Sequence, residues 1–191
     1  MMFQLHAPSP AGWLETVLAD FDAFLIDHAA CERKAAATGM SFVVRYPDRT
    51  HLLEPMIELA REELAHFHEV YKVIRSRGLT LGPDVKDPYV KIITGAVRPG
   101  RDERLLDRLI VGGVLEARGC ERFGLVAEAL EPGPVQEFYR ELVRSESRHH
   151  GMFLRMARHY FTDEVVSGRL AYFLEIEADA IQTIPLRAAL H

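Results

Sequence analysis

Arg61-Glu62-Glu63-Leu64-Ala65-His66-Phe67-His68-Glu69 places three carboxylates and two imidazoles in nine residues of a segment that otherwise reads as a helix. Leu52, Met56, Leu59, Glu63, His66, Val70 and Val73 recur at steps of three and four, so they share one helix face. Glu63 and His66 therefore point inward with the apolar residues. A carboxylate left uncompensated in such a stripe costs several kcal/mol, so the pattern calls for a positive partner.

A second Glu-x-x-His pair, Glu146-Ser147-Arg148-His149, sits in the same setting, with Leu142, Glu146, His149 and Phe153 forming one stripe. Each pair follows a further Glu on an apolar helix face. Glu32 lies thirty-one residues before Glu63, and Glu116 thirty residues before Glu146. Ferritin-like di-iron and di-manganese carboxylate proteins take one Glu from each of two helices and Glu-x-x-His from each of the other two. The pattern predicts an all-α, ferritin-like four-helix bundle whose metal ligands are Glu32, Glu63, His66, Glu116, Glu146 and His149. Four carboxylates and two imidazoles favour hard or borderline divalent metals, and carboxylates can bridge two ions.

The remaining chain fits that frame. Ser9 and Pro10 are placed to cap and open helix 1, whose stripe is Leu14, Leu18, Phe21, Leu25, His28 and Glu32, with Gly39 at or just beyond its end. Asp48 or Thr50 can cap helix 2, Pro55 falls early within it, and Gly78 terminates it. Residues 78–101, rich in Gly and Pro with a short helix around 86–97, form the long crossover of such a bundle. Helix 3 spans about 102–130, helix 4 about 134–160, and a fifth helix over about 163–183 flanks the bundle. Its Glu175, Glu177 and Asp179 have no His at ligand spacing.

A chain of 191 residues, 48% apolar and 27% charged, suits one globular domain over 1–191. The net charge of −5 does not mark a general nucleic-acid binder, so any such contact must be local. Two Cys without a disulfide framework, no signal-peptide pattern and no membrane-length apolar run lead to the expectation of a cytoplasmic protein without a membrane partner. Nothing in the sequence specifies an oligomeric state.

Ala30-Cys31-Glu32-Arg33 echoes Gly119-Cys120-Glu121-Arg122. That echo would nominate Glu121 in place of Glu116. Helical geometry favours Glu116, which lines up with Leu105, Leu109, Phe123 and Ala127, whereas Glu121 is about 140° round the helix. His68 and His150 read as ordinary polar residues on other faces, and His28 as either a neighbour to Glu32 or a satisfied core histidine. Cys31 and Cys120 read as small buried residues. Arg140, Arg144, Arg148, Arg155 and Arg158 form a basic stripe on helix 4, read first as a solvated face, with phosphate contact as the alternative.

Asp27-His28-Ala29-Ala30-Cys31-Glu32-Arg33-Lys34-Ala35-Ala36, Arg61-Glu62-Glu63-Leu64-Ala65-His66-Phe67, Glu116-Ala117-Arg118-Gly119-Cys120-Glu121-Arg122-Phe123 and Ser145-Glu146-Ser147-Arg148-His149-His150 together resemble the tRNA-(2-methylthio-N6-isopentenyladenosine) hydroxylase family. The resemblance covers nearly the whole chain. It implies a non-haem di-iron monooxygenase that uses O2 and an electron-donor protein or reductant to hydroxylate the isopentenyl group of the modified adenosine beside the anticodon of tRNA. It carries the ligand pattern onto the same six residues, with two iron ions as cofactors and no catalytic side chain beyond the ligands. Arg45, Arg49, Arg98 and Arg101 are the first candidates for tRNA phosphate contact. Two other functions share this ligand set. A quinone-ring hydroxylase of the same fold should show an apolar membrane-docking surface, and an iron-storage protein a large shell; a ferritin-like peroxide scavenger belongs with the second.

Overall fold

The computed structural model describes residues 3–191, and the described residues form seven helices and no strand. They fall into two compact units: residues through Gly12 with Lys86–Leu186 and His191, and Trp13–Val85 with Arg187–Leu190.

The second unit is a helical hairpin preceded by a short helix: α1 (Trp13–Ala19), α2 (Phe21–Arg45) and α3 (Thr50–Ser76). The single first helix expected from the sequence is instead two. It starts at Trp13 rather than Pro10 because the Ser9 N–H and hydroxyl both bond the Glu121 carboxylate, at 2.7 Å each, and so cap nothing. It breaks at Asp20, whose side chain accepts from the Ala23 N–H at 3.1 Å and opens α2 as a fresh N-cap. Trp13, buried, donates its indole N–H to the Ala189 carbonyl at 3.1 Å.

Gly39 does not end α2, which continues six residues further to Arg45. Its role is close approach. A Cβ at this position would lie 2.9 Å from the Met56 carbonyl oxygen and 3.2 Å from the Ala60 Cβ, so only glycine lets α2 and α3 meet at this distance. Neither Asp48 nor Thr50 caps α3: Arg49 occupies the N-cap position with no side-chain capping bond, and Thr50 is already helical. Gly78 does terminate α3, as its sequence context indicates. Its φ of 73° is left-handed, its N–H bonds the Arg75 carbonyl, and the Leu79 N–H bonds that of Ile74, a Schellman cap.

The first unit contains α4 (Pro88–Gly95), α5 (Arg101–Ala129), α6 (Pro134–Tyr160) and α7 (Asp163–Thr183), all within a residue or two of the expected spans. Asp87 caps α4 through the Tyr89 and Val90 N–H groups. Fully buried Asp107 on α5 receives the Arg98 backbone N–H and guanidinium together with the Arg169 guanidinium of α7, at 2.7–2.9 Å. This knot joins the end of the crossover to α5 and α7. Arg98 is therefore a structural anchor, not the free phosphate contact expected from its loop position. Near the other end of α5, buried Arg118 bonds Glu177 of α7, Glu121 and the Ala7 carbonyl, and Tyr89 donates its hydroxyl to Glu177 at 2.8 Å.

Two outcomes test this packing. Gly39→Ala should lower the unfolding free energy by about 1–3 kcal/mol through overpacking, while Gly124→Ala, with nothing within 4 Å of its added Cβ, should raise it by up to about 1 kcal/mol; urea denaturation checks both. Burial would raise the Asp107 carboxyl, but Arg169 and Arg98 hold it at about 2, below its ordinary 3.8. That pairing contributes fully above the ordinary value and is lost as pH falls through about 2. The stability gap between the parent protein and Asp107→Asn, on the order of 2 kcal/mol near neutrality, should therefore close between about pH 4 and pH 2.

Candidate metal centre

Two half-sites of the same composition arise from the two hairpins. In the second unit, three helical turns after the Asp20 cap bring Glu32 onto the inner face of α2, and Glu63 and His66 project from α3 one turn apart. His66 Nδ1 lies 3.4 Å from Glu63 Oε2 and 3.6 Å from Glu32 Oε2. In the first unit, His149 Nδ1 lies 3.5 Å from Glu146 Oε2 on α6 and 3.8 Å from Glu116 Oε2 on α5. Glu32, Glu63, Glu146 and His149 are all at most 5% exposed. The side chains of His66 and Glu116 are the more open members, at 17% and 12%.

These separations fit metal donors better than hydrogen bonds, which run to about 3.2 Å for N–H···O. Adjacent donors around one cation, each about 2.1 Å from it, stand about 3–3.5 Å apart. The electrostatics agree. Burial alone would lower the His66 imidazole, yet Glu32 and Glu63 push it up to about 9. Burial alone would raise the Glu32 carboxyl, but hydrogen bonds from His28 and His66 hold it below the usual carboxylate range. The α2–α3 half-site is thus a pocket of negative potential that favours a cation, and the residues present fit a divalent metal. Because a ligating imidazole must be neutral, metal entry would displace a proton from His66.

His28, fully buried, brings Nε2 to 2.6 Å from Glu32 Oε1 and leaves Oε2 facing His66. It belongs to the half-site as the group that fixes the carboxylate's rotation. One turn before Glu116 the corresponding position is Gly112, so α5 has no counterpart. Glu121 points elsewhere: its carboxylate accepts from Ser9 and from Arg118 at 2.8 Å. The Cys-Glu-Arg echo is therefore out of register with the half-sites: Glu116 faces His149, and Glu121 faces Ser9 and Arg118. Cys31 and Cys120 are both unbridged and half-buried; burial and then the nearby Glu116 and Glu121 push the Cys120 thiol up, away from the thiolate a metal needs.

The other sequence candidates divide. His68 is exposed, as expected, but His150 is buried and meets the Phe3 ring edge-on at 4.4 Å. Glu177 of the flanking helix is fully buried in the Arg118 network. Sequence reasoning missed that network; its signal was Arg118, Glu121 and Arg122 at three- and four-residue steps within an otherwise buried helix. Arg140, Arg144, Arg148 and Arg155 are solvated. Arg45 and Arg101 are exposed, and Arg49 stands 4.0 Å from Asp48.

An all-α chain with two long helical hairpins, each carrying Glu-x-x-His and a further Glu, has the ferritin-like architecture. The model of the tRNA-(MS[2]IO[6]A)-hydroxylase (MiaE) family matches residues 2–191, and the chain belongs to that family. It is 35% identical to the tRNA 2-(methylsulfanyl)-N(6)-isopentenyladenosine(37) hydroxylase of Pseudomonas putida, over 94% of this chain and 87% of that one. Its identity to the protein of the same name from Salmonella typhimurium is 30%, over 93% and 83%. Among solved structures it matches "Protein 43 with aldehyde deformylating oxygenase activity from Synechococcus" with a TM-score of 0.93 at 34% identity, over 100% of this chain and 96% of that one.

Glu116 and Glu121 make the discriminating pair. Glu116→Ala should remove most of the divalent-metal binding measured by metal analysis after loading, while Glu121→Ala should retain metal and lose stability, because Ser9 and Arg118 lose their shared acceptor. Metal loss that tracks Glu121 would overturn the assignment.

Proposed function

We infer that this protein hydroxylates the isopentenyl group of 2-methylthio-N6-isopentenyladenosine next to the anticodon of tRNA, using a pair of irons held by Glu32, Glu63, His66, Glu116, Glu146 and His149. The observation that carries the reading is the pair of matched Glu-x-x-His half-sites in a member of a tRNA hydroxylase family. The whole chain, 1–191, is taken as one catalytic domain. No described helix is long and apolar enough to cross a membrane, and a tRNA substrate implies a cytoplasmic enzyme.

When bound, a di-iron pair supplies O2 reduction, with one oxygen atom entering a C–H bond and the other leaving as water once a donor has provided two electrons and two protons. The chain's own contribution is positional. Glu32 is held by His28 so that its second oxygen stays available. Glu63 and Glu146 are buried beside His66 and His149, so each pair would offer a cation one carboxylate and one imidazole. The more open side chains of His66 and Glu116 mark where exchangeable species reach the ligands. The terminal methyls of the isopentenyl group are allylic, so their C–H bonds are weaker than ordinary methyl bonds. An anticodon-loop base can be splayed from its stack into a protein site.

The test uses 18O2, reduced iron-loaded protein and tRNA carrying the unhydroxylated nucleoside. Mass spectrometry should find one labelled oxygen in that nucleoside, and His149→Ala or Glu146→Ala should lose most of the iron and all of the label. Intact, O2-reactive iron with no label in tRNA would transfer the protein to the scavenging or storage class.

A further inference from the structure

The outer face of α3, just beyond His66, carries a shallow depression of about 290 Å3 lined by His68, Tyr71, Lys72, Arg75 and Ser76. These residues recur at steps of three, one, three and one, so they share one solvent-facing strip. The Tyr71 ring lies nearly parallel to that of Phe67, at 10° with centroids 6.2 Å apart. Around this aromatic pair stand two cations and an imidazole. Arg75 and His68 are exposed and bonded through their side chains to no other group among the described residues, unlike Arg33, Arg77, Arg98, Arg118, Arg158 and Arg169, all held by carboxylates. Lys72 bonds Glu69 at 2.6 Å, an exposed pair that a phosphate can replace at little cost.

We propose that this α3 strip, Phe67 to Ser76, is the docking surface for the anticodon arm of the tRNA, with Lys72 and Arg75 on phosphates and Tyr71 as a stacking platform. The inference rests on the tRNA-hydroxylase reading and adds where the RNA is gripped. The strip lies on the solvent face of α3, roughly 150° round the helix from the inward-facing Glu63 and His66, so it would grip the arm from outside the hairpin rather than deliver the base itself. Single-stranded RNA is recognised by this combination of cations that follow the backbone and rings that receive bases. The competing basic stripe on α6 has cations without a ring platform. Its Arg140 is turned to Glu137, Arg148 to Ser145 and a backbone carbonyl, and Arg158 to Asp163. With a net charge of −5, the protein cannot rely on its overall field, so a local grip is required.

The experiment measures binding of an anticodon stem-loop carrying 2-methylthio-N6-isopentenyladenosine to the iron-loaded protein across a salt series. Lys72→Ala with Arg75→Ala should weaken binding about tenfold and lower the slope of log affinity against log salt by about 1.5, since each phosphate contact releases counterions. Tyr71→Ala should weaken binding about tenfold with the slope unchanged, as loss of a stacking ring predicts. Arg144→Ala with Arg155→Ala should stay within about twofold of the parent. Parent-like binding by the α3 variants, or equal loss in the α6 pair, overturns the proposal while leaving the tRNA reading intact. So does a loss confined to coupling with an acidic electron-transfer protein, which would assign the strip to the donor. A parent protein that binds no stem-loop and hydroxylates no tRNA removes the tRNA reading itself, and the surface with it.

Discussion

A carboxylate taken out of water must be given positive charge, and the way each buried acid in this chain meets that demand separates framework from chemistry. Asp107 and Glu177 are answered by guanidinium groups, which hold their charge at any working pH and fit a carboxylate with two donors. These pairs tie α5 to α7 and to the end of the crossover. Glu32, Glu63, Glu116 and Glu146 face imidazoles, which can shed the proton and accept a metal instead. Permanent partners make fixed joints, and exchangeable partners leave the carboxylates open to a cation.

The extents of α4 to α7 and the shared faces of the six Glu and His residues were legible in the sequence because both depend on short-range periodicity. The spans of α4 to α7, the Gly78 stop and the inward face of Glu63, His66, Glu146 and His149 all follow from residues within one or two turns of each other. What escaped depends on partners that lie on other elements. Ser9 has the context of an N-cap, yet its donors go to Glu121, more than a hundred residues away. Gly39 looks like a helix stop until Met56 and Ala60 are seen beneath it. Arg98 looks free in its loop because its acceptor, Asp107, is itself hidden on α5. The Cys-Glu-Arg echo misled for the opposite reason: local similarity carried no information about which way each helix is turned.

Similarity alone also leaves the chemistry under-determined. The chain is 35% and 30% identical to two relatives named for tRNA hydroxylation, and 34% identical to a protein named for aldehyde deformylating oxygenase activity. One fold at one level of identity thus carries different substrate names. A macromolecular substrate needs surface that a small one does not, so the exposed cations and rings of α3 bear on specificity as well as the buried clusters.

The stretch from Phe3 to Gly12 contains no helix and would look expendable to anyone trimming the protein for expression. It is not loose. The Ala7 carbonyl and the Ser9 hydroxyl receive the buried guanidinium groups of Arg118 and Arg122, and the Phe3 ring covers His150. Shortening the chain by ten residues would remove acceptors from two buried arginines and uncover His150, so the shortened product should be less stable even though every helix remains encoded. The same contacts make a tag safer at a distance from this end than fused directly against it.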